Sequence, residues 1–325
     1  MPKMFIRAFL IFFLLQFFDG VNIQAQPAVK SILDSIYNMN FNGAKRSIAT
    51  AENTNEGIKN LLNVQLMRWR YTPVALSNHK DEYFEKLAAT ETLLANDRDL
   101  TDPYFKVCNY FFLAEYHFSR QDRLKAARAL QSSYKFVMKC FDESNATPEH
   151  NFIKGIYLCY AEIYADMSMG GEIVFAALKK GDRKEGLKLL GETAFSNSLA
   201  GTEAAIYYAH ILLRYEENYA LASDVYSRLV SMYPKNMKFL ELYTYCLVRQ
   251  KEYQKAESLI NVITKSNDPF FDCAANLFNG MVEQDYRSNK AKAKEFYNRA
   301  IGAGEKYQPV LNYYVKIAKE RVEGL

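Results

Sequence analysis

The chain has few residues of the kinds that make tight turns, hold metals or carry out catalysis. Only 8 Pro and 14 Gly occur in 325 residues, too few for a sandwich or barrel of short, sharply connected strands. The five cysteines, Cys108, Cys140, Cys159, Cys246 and Cys273, show no C-x-x-C spacing, so no zinc knuckle or dithiol redox centre is encoded. Cys108–Cys140 and Cys246–Cys273 are conceivable bridges, but the flanking apolar helical residues favour buried free thiols. The four histidines, His79, His117, His150 and His210, form neither HExxH nor a helical pair. No G-x-S-x-G elbow, Walker loop or G-x-G-x-x-G is present. Asp81-Glu82 and Glu216-Glu217 read as solvated turns rather than a catalytic acid pair. No enzyme, cofactor or metal site is expected.

Neither sign of charge dominates. Lys+Arg 41 against Asp+Glu 37 gives +4, which excludes a surface built to neutralise nucleic-acid phosphates. The densest basic run, Lys179, Lys180, Arg183, Lys184 and Lys188, is interrupted by Asp182 and Glu185 and reads as a solvated helix start. What the chain does have is apolar material. Its 49% hydrophobic content exceeds anything a disordered chain carries, and 24 Tyr and 22 Phe supply large side chains for a core.

The first segment, MPKMFIRAFLIFFLLQFFDGVNIQAQ, begins with Lys3 and Arg7 and continues as an apolar run from Ala8 to Phe18. A membrane span needs about 20 apolar residues; this run is shorter, and Asp19 closes it. Ile23-Gln24-Ala25 then offers a small residue at a cleavage point. Residues 1–25 are expected to be a secretory signal peptide cut after Ala25, leaving residues 26–325 exported, periplasmic or secreted, with no stable membrane insertion. Losing Lys3, Arg7 and Asp19 lowers the charge from +4 to +3. No Cys follows the apolar run, so no lipid attachment is expected.

From Gln26 onward the apolar spacing is helical. Asp102-Pro103, Thr147-Pro148 and Asp268-Pro269 each set a capping side chain before a helix-opening proline. Short polar turns, such as Asn38-Met39-Asn40, Arg120-Gln121-Asp122 and Glu216-Glu217-Asn218, separate about fifteen helices into antiparallel hairpins. The hairpins repeat. Leu213, Tyr219, Ala222 and Leu229 recur as Leu247, Tyr253, Ala256 and Ile263, each 34 residues on, and Tyr226 maps to Ile260. A small residue at Ala222 or Ala256 lets paired helices approach closely, and Pro234 ends a second helix.

With these residues the chain resembles the tetratricopeptide repeat family, most clearly over 203–236 and 237–270. Phe41 with Ala44, Ala114 with Ala126, and Ala293, Tyr297 and Ala300 with Gly280 fit the same pattern more loosely. His210 and Thr244 replace the small residue usual in the first helix, and insertions fall around 71–80 and 142–182. Gly181-Asp182-Arg183 with Gly186-Leu187 resembles a GDR-x-x-GL element of divergent, exported bacterial members. The resemblance implies an all-α helical-hairpin solenoid, a superhelix of about seven hairpins, in which stability comes from stacked neighbours. The amphipathic stretch from Tyr307 to Val322 reads as a C-terminal capping helix.

In the resembled family the first helices line a concave surface that binds peptide segments. By repeat position, Phe111, Glu115 and Phe118 face that groove, followed by Tyr207, Ile211, Arg214 and Tyr215, then Lys238, Glu241, Tyr245 and Arg249. Tyr and Arg are frequent interface anchors. The Lys-and-Asn arrangement that clamps a peptide's terminal carboxylate in some members is missing. The expected function is a non-catalytic scaffold or adaptor whose partner is another protein or peptide. The alternative is an envelope module that recognises a glycan or peptide through clustered Tyr and Trp69.

Overall fold

The computed structural model describes residues 25–96, 102–142, 146–167 and 178–325, and every regular element among them is helical. Among the described residues fifteen α-helices follow one another. They are α1 (Ala25–Tyr37), α2 (Phe41–Ala49), α3 (Glu56–Arg70), α4 (Lys80–Asn96), α5 (Tyr104–Ser119), α6 (Arg123–Lys139), α7 (Pro148–Met167) and α8 (Arg183–Thr193). Then come α9 (Gly201–Arg214), α10 (Tyr219–Met232), α11 (Met237–Arg249), α12 (Tyr253–Lys265), α13 (Asp272–Met281), α14 (Lys290–Gly304) and α15 (Asn312–Glu323). Each packs against the next along most of the chain. The expected leader lies outside the described residues apart from Ala25, the first residue of α1. None of the described helices is long and apolar enough to cross a membrane.

Five turns share one construction. A residue with positive φ (Met39, Gln121, Glu217, Lys251 or Ser288) reverses the chain. The next residue, Asn40, Asp122, Asn218, Glu252 or Asn289, opens a helix, and all but Glu252 accept a backbone N–H of the first turn on the side chain. Such a cap answers one of the four unpaired N–H groups of a helix start. Four residues beyond the cap stands a buried alanine: Ala44, Ala126, Ala222, Ala256 or Ala293. A methyl group there permits the close approach of the preceding helix.

The 34-residue shift therefore has a local physical basis, and its other members, Leu213 and Leu247, Tyr226 and Ile260, Leu229 and Ile263, are buried too. The third copy, Ala293, Tyr297 and Ala300, is also buried but stands three residues further on than the shift predicts. A longer turn after α12 and a π-helical turn at Val282–Tyr286 take up the difference. Gly280 fits beneath Tyr297, where an added Cβ would meet the ring at 2.5 Å.

Of the three proline-opened starts, only Thr147-Pro148 is formed as expected, with Thr147 Oγ1 accepting from His150 N at 3.2 Å; Asp102 Oδ1 accepts from Tyr104 N at 2.8 Å in a turn, and α5 begins one residue after Pro103. Asp268 likewise closes a turn, accepting from Phe270 N at 3.0 Å, and α13 begins only at Asp272. The insertion around 71–80 holds a short 3-10 helix, Val74–Leu76. Of that around 142–182, α7 occupies the largest described part, and 143–145 and 168–177 lie outside the described residues.

The GDR-x-x-GL element fastens α8 to α7. Asp182 accepts from Glu185 N at 3.0 Å, while its own N–H donates to Leu158 O at 3.1 Å. Arg183 bridges Glu162 of α7, at 3.5 Å, and Glu216 of the turn after α9, at 3.1 Å. Gly186 lies so near α7 that an added Cβ would come within 2.5 Å of Cys159 Sγ and 2.8 Å of Gly155 O. Leu190 is wholly buried beneath this contact.

Packing also reaches far beyond sequence neighbours. The Tyr37 hydroxyl donates to Glu203 Oε1 at 2.9 Å, Asn236 Nδ2 to Tyr37 O at 2.8 Å, and the Tyr233 hydroxyl to Asp34 Oδ1 at 2.7 Å. Trp69 sits edge-to-face on Tyr37, centroids 5.7 Å apart, and on Phe239, 5.4 Å apart. Helices α1 and α3 thus lie against α9, the turn after α10 and α11. At the other end α15 buries Tyr314, Val315 and Ala318, with the Tyr314 ring against Tyr245 and Phe278.

Candidate functional site

The eleven residues assigned to the inner face fall into two clusters and three outliers. In the first cluster, Phe111 on α5 and Tyr207 on α9 line a small cavity of about 30 Å³ together with Val29, Cys108 and Glu203. Glu115 projects outward and pairs with Arg68 Nε at 2.9 Å. Arg68 Nη1 in turn stands 3.7 Å from Glu203, whose Oε1 also accepts from Gln65 at 3.0 Å. Glu203 Oε2 is buried without a partner. Burial raises the Tyr207 phenol.

In the second cluster, Arg214 ends α9 and Lys238, Glu241, Tyr245 and Arg249 follow along α11. Lys238 donates to Glu241 Oε2 at 2.5 Å. Glu241 is almost wholly buried and also accepts the Tyr314 hydroxyl on Oε1. The Tyr245 hydroxyl meets that of Tyr313 at 3.0 Å and accepts from Arg249 Nη1 at 2.7 Å. The Arg214 guanidinium stacks on Tyr313 at 3.7 Å. Burial raises the Tyr245 phenol, and its bond to Tyr313 adds to the shift. One turn before Arg214, burial, with positive Arg214 and Lys238 beside it, pushes His210 down to about 3, so the ring is neutral at pH 7.

The outliers are Ile211, Tyr215 and Phe118. Ile211 is fully buried in the core. Tyr215 is half-buried, edge-on to Tyr160 and His210. Phe118, 56% exposed, is the most open aromatic of the set.

Three participants of the second cluster were not assigned from sequence: Tyr219, Tyr313 and Tyr314. Tyr219, on whose ring Arg249 stacks at 4.3 Å, carries a sequence signal as the aromatic that follows the hairpin cap. Tyr314 belongs to the buried face of the last helix, and nothing in the local pattern marks Tyr313. Trp69, with 9% exposure, lies in the core between Tyr37 and Phe239.

The thiols are chemically quiet. All five cysteines are free and buried. Burial pushes Cys140, Cys159, Cys246 and Cys273 up to about 12 and raises Cys108 as well, far from the thiolate that reacts or ligates. Among the described residues no three of His, Cys, Asp and Glu gather as metal ligands would. No known family model, no curated protein and no solved structure matches the chain. The fold and these clusters therefore define it at the level of class: an all-helical protein with recurring hairpin turns.

Proposed function

We propose that the chain is an exported, non-catalytic scaffold of the tetratricopeptide type. In this reading seven hairpins, α1–α2 through α13–α14, stack into an array that α15 caps, and the first helix of each hairpin lines an inner face that holds a segment of another protein. The observation that carries the reading is the recurrent turn, with positive φ, helix cap and buried alanine four residues on. A chain built by reiterating one hairpin presents equivalent side chains at regular steps along one face, which suits extended segments better than small molecules. Trp69 is packed inside, so it does not offer the stacking platform that a glycan site would need.

The test is affinity capture from an envelope fraction of the native host, with the mature chain as bait. The scaffold reading expects one protein recovered in stoichiometric amount. Retention of glycan without protein contradicts it. Sequencing the N-terminus of the native protein tests export: Gln26 first is expected, and an intact Met1 is the contrary result.

A further inference from the structure

Where the last turns of α9 and α11 meet α15, hydrogen-bond donors outnumber acceptors. Arg214 Nη1 is buried without a partner. Its guanidinium carbon lies 3.7 Å from the ring centre of Tyr313, 5.1 Å from Tyr314 and 5.3 Å from Tyr245. Arg249 gives one N–H to the Tyr245 hydroxyl at 2.7 Å and stacks on Tyr219 at 4.3 Å. The Tyr219 hydroxyl is buried with no partner at hydrogen-bond distance, and the nearby Glu217 carboxylate is the one acid that acts on it.

Guanidinium groups cannot accept, and each phenol brings one hydrogen. The Tyr245 and Tyr313 hydroxyls share a single hydrogen at 3.0 Å, so one phenolic hydrogen of the pair has no acceptor there. Neither arginine pairs with a carboxylate of the described residues. Glu241, the acid on α11, is engaged by Lys238 and Tyr314. The tyrosine rings offset part of the cost of holding an unpaired guanidinium out of water, but a π face fills none of the open N–H positions. The group that matches two guanidinium forks and spare phenolic hydrogens is an oxyanion that accepts several hydrogen bonds at once.

We propose that the cluster of Arg214, Arg249, Tyr219, Tyr245 and Tyr313 is a binding site for the carboxylate side chains of an acidic peptide segment. This rests on the scaffold reading and names the chemistry of the segment held. The carboxylate takes the open N–H groups of the two arginines, and the tyrosine faces wall the site against water, which strengthens each charge-assisted bond.

The test titrates the full mature chain at low salt with a hexaglutamate peptide whose ends are acetylated and amidated, leaving only side-chain carboxylates. The equally capped hexaglutamine peptide and inorganic phosphate are run beside it. Hexaglutamate is expected to bind and hexaglutamine not. Arg214→Gln and Arg249→Gln are each expected to weaken hexaglutamate by about tenfold or more, the scale of one charge-assisted bond, whereas Arg228→Gln, on another face of α10, leaves it unchanged. Because Arg214 is deep in the cluster, the half-buried Arg249 is the deciding variant, with an unchanged melting curve as its control.

Equal affinity for the two peptides, an undiminished affinity in Arg249→Gln, or phosphate competing as well as the peptide overturns the site. Capture of the same stoichiometric protein by the native chain and by Arg249→Gln overturns the acidic segment but leaves the scaffold standing. Arg249-dependent peptide binding with no protein captured supports the site and removes the scaffold.

Discussion

Tyr37 and Glu203, 166 residues apart in the chain, are joined by a buried hydrogen bond of 2.9 Å from phenol to carboxylate. It ties the end of α1 to the first turn of α9, and Gln65 and Arg68 of α3 converge on the same carboxylate. Tyr37→Phe removes one donor and leaves a buried carboxylate with fewer partners. The expected loss is about 1–3 kcal/mol of unfolding free energy, read from urea denaturation. A loss no larger than that of the exposed Ser258→Ala would show that the tie does not contribute.

Glycines separate close packing from simple backbone freedom. At Gly186 an alanine methyl would push into Cys159 Sγ and Gly155 O, prising α8 from α7, so Gly186→Ala is expected to cost roughly 1–3 kcal/mol. Gly302, inside α14, has nothing within 4 Å of an added Cβ. Gly302→Ala should therefore stabilise by up to about 1 kcal/mol, because alanine is the better helix former. Thermal melts of the two variants should move in opposite directions, and a shared direction would contradict the contact described at Gly186.

His210 makes stability depend on pH. Its folded value is depressed to about 3 by burial and by Arg214 and Lys238, whereas an unfolded histidine titrates near 6.5. Between those values the unfolded chain binds the extra proton, so the contribution is complete above about 6.5 and is lost as pH falls toward 3. The melting temperature is expected to drop between pH 7 and pH 5, before most carboxylates titrate. His210→Gln should reduce that slope, with a residual part from His117, which burial also lowers. An identical slope in the variant would contradict the buried neutral ring.

Five buried thiols should be almost inert to a chromogenic disulfide reagent at pH 8 and all react on unfolding in guanidinium. Rapid reaction of any thiol in the native protein would contradict its placement. Fewer than five reactive thiols after unfolding without reductant would reveal a disulfide.

The parts of the fold set by short-range geometry were legible in the sequence. Tyr219 with Ala222 and Tyr253 with Ala256 announce the hairpin turn because cap, ring and small residue lie within five positions of one another. The GDR-x-x-GL run was recognisable as a pattern, but its work of pinning α8 to α7 needs Gly155, Leu158, Cys159 and Glu162, which carry no mark of their own. The contacts of α1 and α3 with α9 and α11 have no periodic signature, so Tyr37 and Trp69 were not foreseen as partners of Glu203 and Phe239. For the candidate site, repeat position indicated which face Arg214, Tyr245 and Arg249 share. It could not show that α15 would lay Tyr313 and Tyr314 over them, since a helix face does not specify what covers it.

The central claim is that one face of a hairpin array holds a protein segment. Photocrosslinking in the native host tests it most directly, with a benzophenone amino acid placed at Phe118 or Tyr215, both assigned to the inner face by repeat position, and, for comparison, at the exposed Lys265 or Lys294. The account predicts that both inner positions link to one and the same protein while the comparison positions do not. Equal linking from all four positions, or none from Phe118 and Tyr215 in a correctly folded chain, would contradict it.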